Sequence, residues 1–247
     1  MRLFFIAFQF LTIIPLPFAL RWQGSDMGRC MRFFPVVGLV IGGLLAGLNY
    51  CLSPVFPAAV VSLLLVTTLA IVTGALHLDG LADLCDGFGA RGGRERFLAV
   101  MKDSKTGAIG VVGVALGLML KYQAINSLPV LVRSESIIFF PAAARFAQVL
   151  LTTGSRQARE DGLGAAFITD AGKRELFLAG MTTLAAGWFL LGSKGIFCCI
   201  IISLFALLAR SYFHRRLGGI TGDIIGAVSE LSETICILAI VATGGLI

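Results

Sequence analysis

The run from Phe33 to Leu76, FFPVVGLVIGGLLAGLNYCLSPVFPAAVVSLLLVTTLAIVTGAL, carries no charged side chain and is interrupted only by the turn-forming SPVFP at 53–57. A helix that crosses a bilayer needs about 20 mostly apolar residues. The two halves, 33–52 and 57–76, each meet that length. Lipid offers no partner to an open strand edge, so both read as helices. Five more segments come close to the same criterion: 107–126, 135–153, 175–192, 195–213 and 223–246, separated by Gly/Pro turns or charged stretches. The expectation is an all-α, polytopic membrane helix bundle of about seven transmembrane helices. Residues 3–20 are apolar but contain Pro15 and Pro17, and no small-residue cleavage site precedes a soluble domain. They read as a retained N-terminal interfacial or half-inserted helix, not a signal peptide. No repeat, low-complexity tract or long linker divides the chain, so 1–247 reads as a single integral-membrane domain.

Composition agrees. Of the 247 residues, 57% are hydrophobic and 14% charged, against about 45–50% and about 25% in soluble domains. The net charge of +6 reads as topogenic Lys and Arg. No basic face alternates with stacking aromatics, which excludes a nucleic-acid partner. The six cysteines lie scattered, with no C-x-x-C pair and no Cys/His cluster, so zinc and redox chemistry lack ligands.

The basic residues orient the bundle. Arg2, Arg21, Arg29 and Arg32 precede the first span, and Arg91, Arg94, Arg96, Lys102 and Lys105 separate spans two and three. Arg156, Arg159, Lys173 and Arg174 follow span four, and Arg210, Arg215 and Arg216 follow span six. These share one side of the membrane, while the other keeps only Arg133 and Lys194. The positive-inside rule then places the N-terminus and the loops 77–106, 154–174 and 214–222 in the cytoplasm, and the C-terminus outside.

Acidic residues are scarce, fourteen in all; five of them (Asp79, Asp83, Asp86, Glu95 and Asp103) fall within 79–103, and three more open the last span. In GALHLDGLADLCDGFGARGG (74–93), Asp79, Asp83 and Asp86 are spaced i, i+4, i+7 and share one helix face. Like charges so placed repel, and near a bilayer each adds a desolvation cost. A hard divalent cation on oxygen ligands offsets both, and Mg²⁺ suits a site of carboxylates plus substrate phosphates. The competing reading is a solvated helix end paired with Arg91, Arg94 and Arg96. Gly80 and Gly87 are expected to let a diphosphate approach the backbone, although membrane helices also use glycine for packing. Within MKDSKTGAIG (101–110), Lys102 and Lys105 flank Asp103 and are expected to bind phosphate, or to act simply as positive-inside residues. The second cluster, TGDIIGAVSELSE (221–233), sets Asp223 and Glu230 two turns apart on one face, with Glu233 a turn deeper. An intramembrane carboxylate is a functional candidate by default, so Glu230 and Arg145 are expected to bind substrate, with an internal ion pair as the alternative. His77 is expected to act as a base or to hydrogen-bond a phosphate.

The run DLCDGFGAR (83–91) resembles the opening of the CDP-alcohol phosphotransferase signature, D-x-x-D-G-x-x-A-R, but the Gly and two Asp that should follow are missing. A broader resemblance covers nearly the whole chain. FLTIIPLP (10–17), RFFPVVGLVIG (32–42), GALHLDGLADLCDG (74–87), MKDSKTGAIG (101–110), DGLGAAF (161–167) and RRLGGITGDIIGA (215–227) are similar, in order, to the motifs of the cobalamin synthase family, the adenosylcobinamide-GDP ribazoletransferases. That resemblance implies a multi-pass enzyme of the cell inner membrane with its active site facing the cytoplasm and with Mg²⁺ as cofactor. It would join adenosylcobinamide-GDP to α-ribazole or its 5′-phosphate and release GMP. Asp79, Asp83, Asp86 and Asp103 are then expected to hold metal and diphosphate. Asp223 is expected to complete the metal site or to serve as the base. Assembly as a homo-oligomer is compatible with this reading. The alternatives are a CDP-alcohol phosphotransferase of phospholipid synthesis and a secondary transporter. Transporters, however, place their carboxylates near the midplane of repeated halves, and here they gather at one edge.

Overall fold

In a computed structural model, which describes residues 1–18, 24–159 and 163–244, the chain is helical throughout, with one isolated bridge between Gln157 and Ile220 and no strand among the described residues. The helices are α1 (Arg2–Leu11), α2 (Gly24–Cys30), α3 (Phe34–Leu52), α4 (Ala58–Val72), α5 (Leu76–Gly89), α6 (Arg94–Met101), α7 (Ala108–Asn126), α8 (Arg133–Thr152), α9 (Leu163–Asp170), α10 (Lys173–Leu191), α11 (Ser193–Leu217) and α12 (Gly222–Gly244). Arg21, Asp161 and Gly162, which the charge and motif readings use, lie outside the described residues.

Helices form at all seven expected positions. Five stretches are long and apolar enough to cross a membrane: Ser25–Leu52, Ala108–Asn126, Val130–Thr152, Ser193–Leu217 and Gly222–Gly244; a bent pair raises the number to six. α10 has the length, but it opens Lys173-Arg174-Glu175, so its apolar stretch begins only at Leu176. α1, at ten residues, is too short to span, as the interfacial reading requires.

The expected span 57–76 does not run straight. It breaks after Val72, and α5 leaves α4 at 91°. Gly74 (φ +59°) and Ala75 (φ +55°) both sit in the left-handed region, which stops helical propagation and turns the chain. For Ala75 that conformation costs about 1 kcal/mol. Neighbouring segments hold the break: the Ile13 backbone N–H donates to Val72 O at 2.8 Å, and Thr73 caps Leu69 O at 2.9 Å. The acidic face therefore belongs to a separate helix set across the end of the bundle.

α8 is the hub, buried at almost every position from Ser136 to Thr152. α3 packs along it, and α12 packs against both α8 and α5. The α3–α8 contact is backbone to backbone: a Cβ on Gly38 would lie 2.5 Å from Ala142 Cα, and one on Gly42 would strike Ile138 O. This small-residue stripe substitutes for a hydrophobic drive that lipid does not supply. α5 meets α12 in the same way, since a Cβ on Gly80 would stand 2.5 Å from Asp223 O.

Polar contacts identify the two ends. At one, Arg94 donates to Leu217 O (2.7 Å) and Ala158 O (2.8 Å), and Arg210 to Thr153 O and Gly154 O (both 2.8 Å). The loops following α5, α8 and α11 thus meet, as the charge pattern requires. At the other end, Arg133 binds Asn49 Oδ1 (3.0 Å), Ser62 Oγ (2.9 Å) and Ile125 O (2.7 Å).

Candidate active site

At the loop-rich end a cavity of about 270 Å³ opens between α5, α8, α9 and α12 and the N-terminal helices. Its polar lining is His77, Asp79, Gln148, Arg159 and Asp223; Phe10, Phe34 and Phe167 line its apolar part. Asp79 comes from the first turn of α5 and Asp223 from the first turn of α12. The Gly80–Asp223 backbone contact brings those turns together. Arg159 donates to Asp223 Oδ2 at 3.0 Å, and Thr221 Oγ1 stands 3.4 Å from the same oxygen. Asp83, half-buried one turn along α5, is repelled by Asp79, Asp223 and Asp86 and attracted by Arg159. Asp83 and Asp223, 140 residues apart in sequence, thus share one electrostatic field.

Asp86 departs from its expected place. Its carboxylate accepts from the backbone N–H groups of Gly107 (2.6 Å) and Gly110 (2.8 Å). Those are donors that the first turn of α7 leaves without helical partners, so Asp86 caps α7 from another helix. Gly107 and Gly110 admit it: a Cβ on Gly107 would lie 2.6 Å from Asp86 Oδ1. Asp86 lies two turns beyond Asp79, about 10 Å along the axis, and lines a second, wider cleft with Arg91, Arg96, Asp103 and Lys105. The one shared Asp face is therefore divided between two cavities. Asp103 is exposed and accepts from its own turn, from Lys105 N at 3.1 Å; Lys102 and Lys105 are exposed as well. Among the described residues, no three His, Cys, Asp or Glu side chains converge on one metal position.

Four further expectations change. Gly80 and Gly87 are buried packing positions, Gly80 on α12 and Gly87 on Phe97 and Met101 of α6, so neither offers its backbone to a diphosphate. Arg145 and Glu230 line neither cavity. They belong to a buried, charge-balanced network in which Lys121 binds Glu230 and Glu233 (both 2.5 Å) and Arg145 pairs with Glu233 and reaches Ser229 Oγ at 3.1 Å. The internal ion pair, not substrate binding, accounts for both, because charges inside a bundle need partners there.

His77 does line the first cavity, but it hydrogen-bonds Gln148 (Nε2 to Nε2, 2.8 Å) and not a carboxylate. Sequence reasoning missed Gln148, Arg159 and Phe167. Arg159 counted only as a topogenic cation. Gln148 is a lone amide inside an apolar span, the one signal that marked it.

The family model described as cobalamin-5-phosphate synthase matches residues 3–241. The adenosylcobinamide-GDP ribazoletransferase of Geotalea daltonii is 58% identical over 245 residues, covering 99% of each chain. The protein of the same name from Acetivibrio thermocellus is 36% identical over 226 residues, 91% of each chain. That from Clostridium novyi is 31% identical over 246 residues, 99% of this chain and 98% of its own. No solved structure matches.

Proposed function

The chain belongs to the cobalamin-5-phosphate synthase family, and from that premise we propose that it joins adenosylcobinamide-GDP to α-ribazole or α-ribazole 5′-phosphate, releasing GMP. The observation that carries the reading is the meeting of Asp79, Asp223 and Arg159 in the lining of one cavity, with Asp83 one turn along α5 inside their electrostatic field. In the reaction a ribose hydroxyl attacks the cobinamide-side phosphorus, the new P–O bond forms, and the bond to GMP breaks. Asp223 stands where it can accept the hydroxyl proton. Arg159 offers its guanidinium to the diphosphate oxygens.

Mg²⁺ is part of the proposal. The donor set suits it: three carboxylates repel one another around Asp83 with a single guanidinium beside them, and Mg²⁺ takes one or two carboxylates together with substrate phosphates and water. Asp79 and Asp83, one turn apart on α5, would supply those carboxylates. Bound there, the ion would neutralise the charge that develops on the diphosphate. Asp86 supports the site indirectly, by fixing α7 against α5. The Lys/Arg distribution supports a site on the cytoplasmic face of the inner membrane.

The test is GMP release from adenosylcobinamide-GDP and α-ribazole by the purified protein in lipid nanodiscs, with Mg²⁺ and with EDTA. Turnover that requires both substrates and Mg²⁺ is expected. GMP formation unaffected by EDTA would remove the metal. Turnover of CDP-diacylglycerol with an alcohol acceptor, and none of adenosylcobinamide-GDP, would overturn the substrate reading.

A further inference from the structure

We propose that the first cavity is the subsite for the aromatic base of the nucleoside alcohol, with the base stacked among Phe10, Phe34 and Phe167 and read by the His77–Gln148 pair. The inference rests on the transferase reading above and assigns one of its two substrates to a place.

Size argues first. About 270 Å³ holds a bicyclic heteroaromatic ring and part of a ribose. It does not hold a corrin ring with its side chains, so the larger substrate must remain outside. The walls argue next. The rings of Phe10 and Phe167 lie 4.5 Å apart between centroids, Phe34 and Phe167 5.7 Å, and Phe10 and Phe34 6.2 Å. An aromatic cluster of this kind stacks a planar base. They come from α1, α3 and α9 and form the apolar wall of the cavity.

The polar floor is the specific feature. His77 and Gln148 are 2% and 1% exposed. The Gln148 amide donates to His77 Nε2, which leaves the His77 proton on Nδ1, an assignment that follows from the hydrogen-bond network. Among the described residues, His77 Nδ1 and Gln148 Oε1 have no hydrogen-bond partner. One donor and one acceptor left unpaired in a buried site carry a desolvation penalty, which a heterocyclic ring nitrogen relieves at the donor and an exocyclic amino group relieves at the acceptor. The ring nitrogen of a benzimidazole that is not bonded to the sugar is an acceptor for Nδ1–H. An adenine would add an amino group for Oε1. Exposure rises from this floor towards exposed Asp79 and half-buried Asp223 in the same cavity. A base held at the floor therefore puts its ribose hydroxyl beside the carboxylates.

Three variants in the full chain, Phe167→Leu, Gln148→Met and His77→Phe, test this in nanodiscs. Binding of α-ribazole alone is measured by equilibrium dialysis, and KM for each substrate with the other saturating. Thermal unfolding identifies any variant that is simply misfolded, and Phe167→Leu keeps the apolar volume while losing the ring. The expected result is an α-ribazole Kd and KM raised about ten-fold or more, with KM for adenosylcobinamide-GDP within about two-fold of wild type. Gln148→Met should also reduce use of α-ribosyl adenine more than use of α-ribazole. Unchanged α-ribazole binding in all three folded variants, as when a lipid chain fills the cavity, overturns the proposal. So does an equal rise of both KM values. Wild-type protein that turns over neither substrate refutes the transferase reading instead, and α-ribazole binding then decides the subsite separately.

Discussion

Arg159 donates to Asp223 at 3.0 Å, joining the loop after α8 to the first turn of α12 across 64 residues of chain. Both side chains keep 22% of their surface, enough for a substrate to reach them. The pair fixes the second acidic cluster beside the first. It also places a cavity-lining guanidinium among the carboxylates.

If Asp79 and Asp223 serve one centre, Asp223→Ala should lower kcat/KM by about 100-fold or more, near 3 kcal/mol. Adding Asp79→Ala should cost little beyond that, because groups acting as a unit are non-additive. A double-mutant cycle on GMP release decides it. Were Asp223 merely an ion-pair partner for Arg159, its loss would cost about 1 kcal/mol or less, and an Asp223→Ala enzyme within a few-fold of wild type would show that.

Asp83 and Asp86 should separate. Asp83→Asn should abolish turnover and leave the melting temperature nearly unchanged. Asp86→Ala removes the cap of α7 and should destabilise the protein by about 0.5–2 kcal/mol, lowering activity without altering the Mg²⁺ concentration at half-maximal rate. A large rise in that concentration for Asp86→Ala would return Asp86 to the metal.

Glu233 accepts from both Lys121 and Arg145. Glu233→Gln leaves two buried cations facing one carboxylate. Breaking such a pair from one side costs about 3–5 kcal/mol, so the variant should lose most of its folded yield in membranes. A double change, Lys121→Met with Glu230→Gln, removes one charge of each sign and should be milder. Equal yields for the two would contradict the network's role.

The orientation predicts that, in a Cys51→Ser background, Ser104→Cys is labelled by an impermeant maleimide only from the cytoplasmic side and Ser53→Cys only from outside. Both positions are exposed, and they lie at opposite ends of the bundle. Labelling of Ser104→Cys in intact cells would invert the scheme.

The apolar segments and the charge asymmetry determined the helices and which loops share an end, because burial in lipid depends on local composition alone. The i, i+4, i+7 spacing likewise placed Asp79, Asp83 and Asp86 on one helical face. What that face does was decided by its neighbours. Left-handed Gly74 and Ala75 turn α5 out of line with α4, so its first turn meets α12 at Asp223 and its last meets α7 at Gly107. Asp79 thereby joins a cavity while Asp86 becomes a cap. Arg145 and Glu230 are legible as costly intramembrane charges, yet only the packing of α7, α8 and α12 shows that they neutralise each other through Lys121 and Glu233. Gln148 is marked only as a lone amide in an apolar span, and nothing local to Phe167 says that its ring faces a cavity. A cavity is made by elements distant in sequence, and no spacing along one chain encodes its walls.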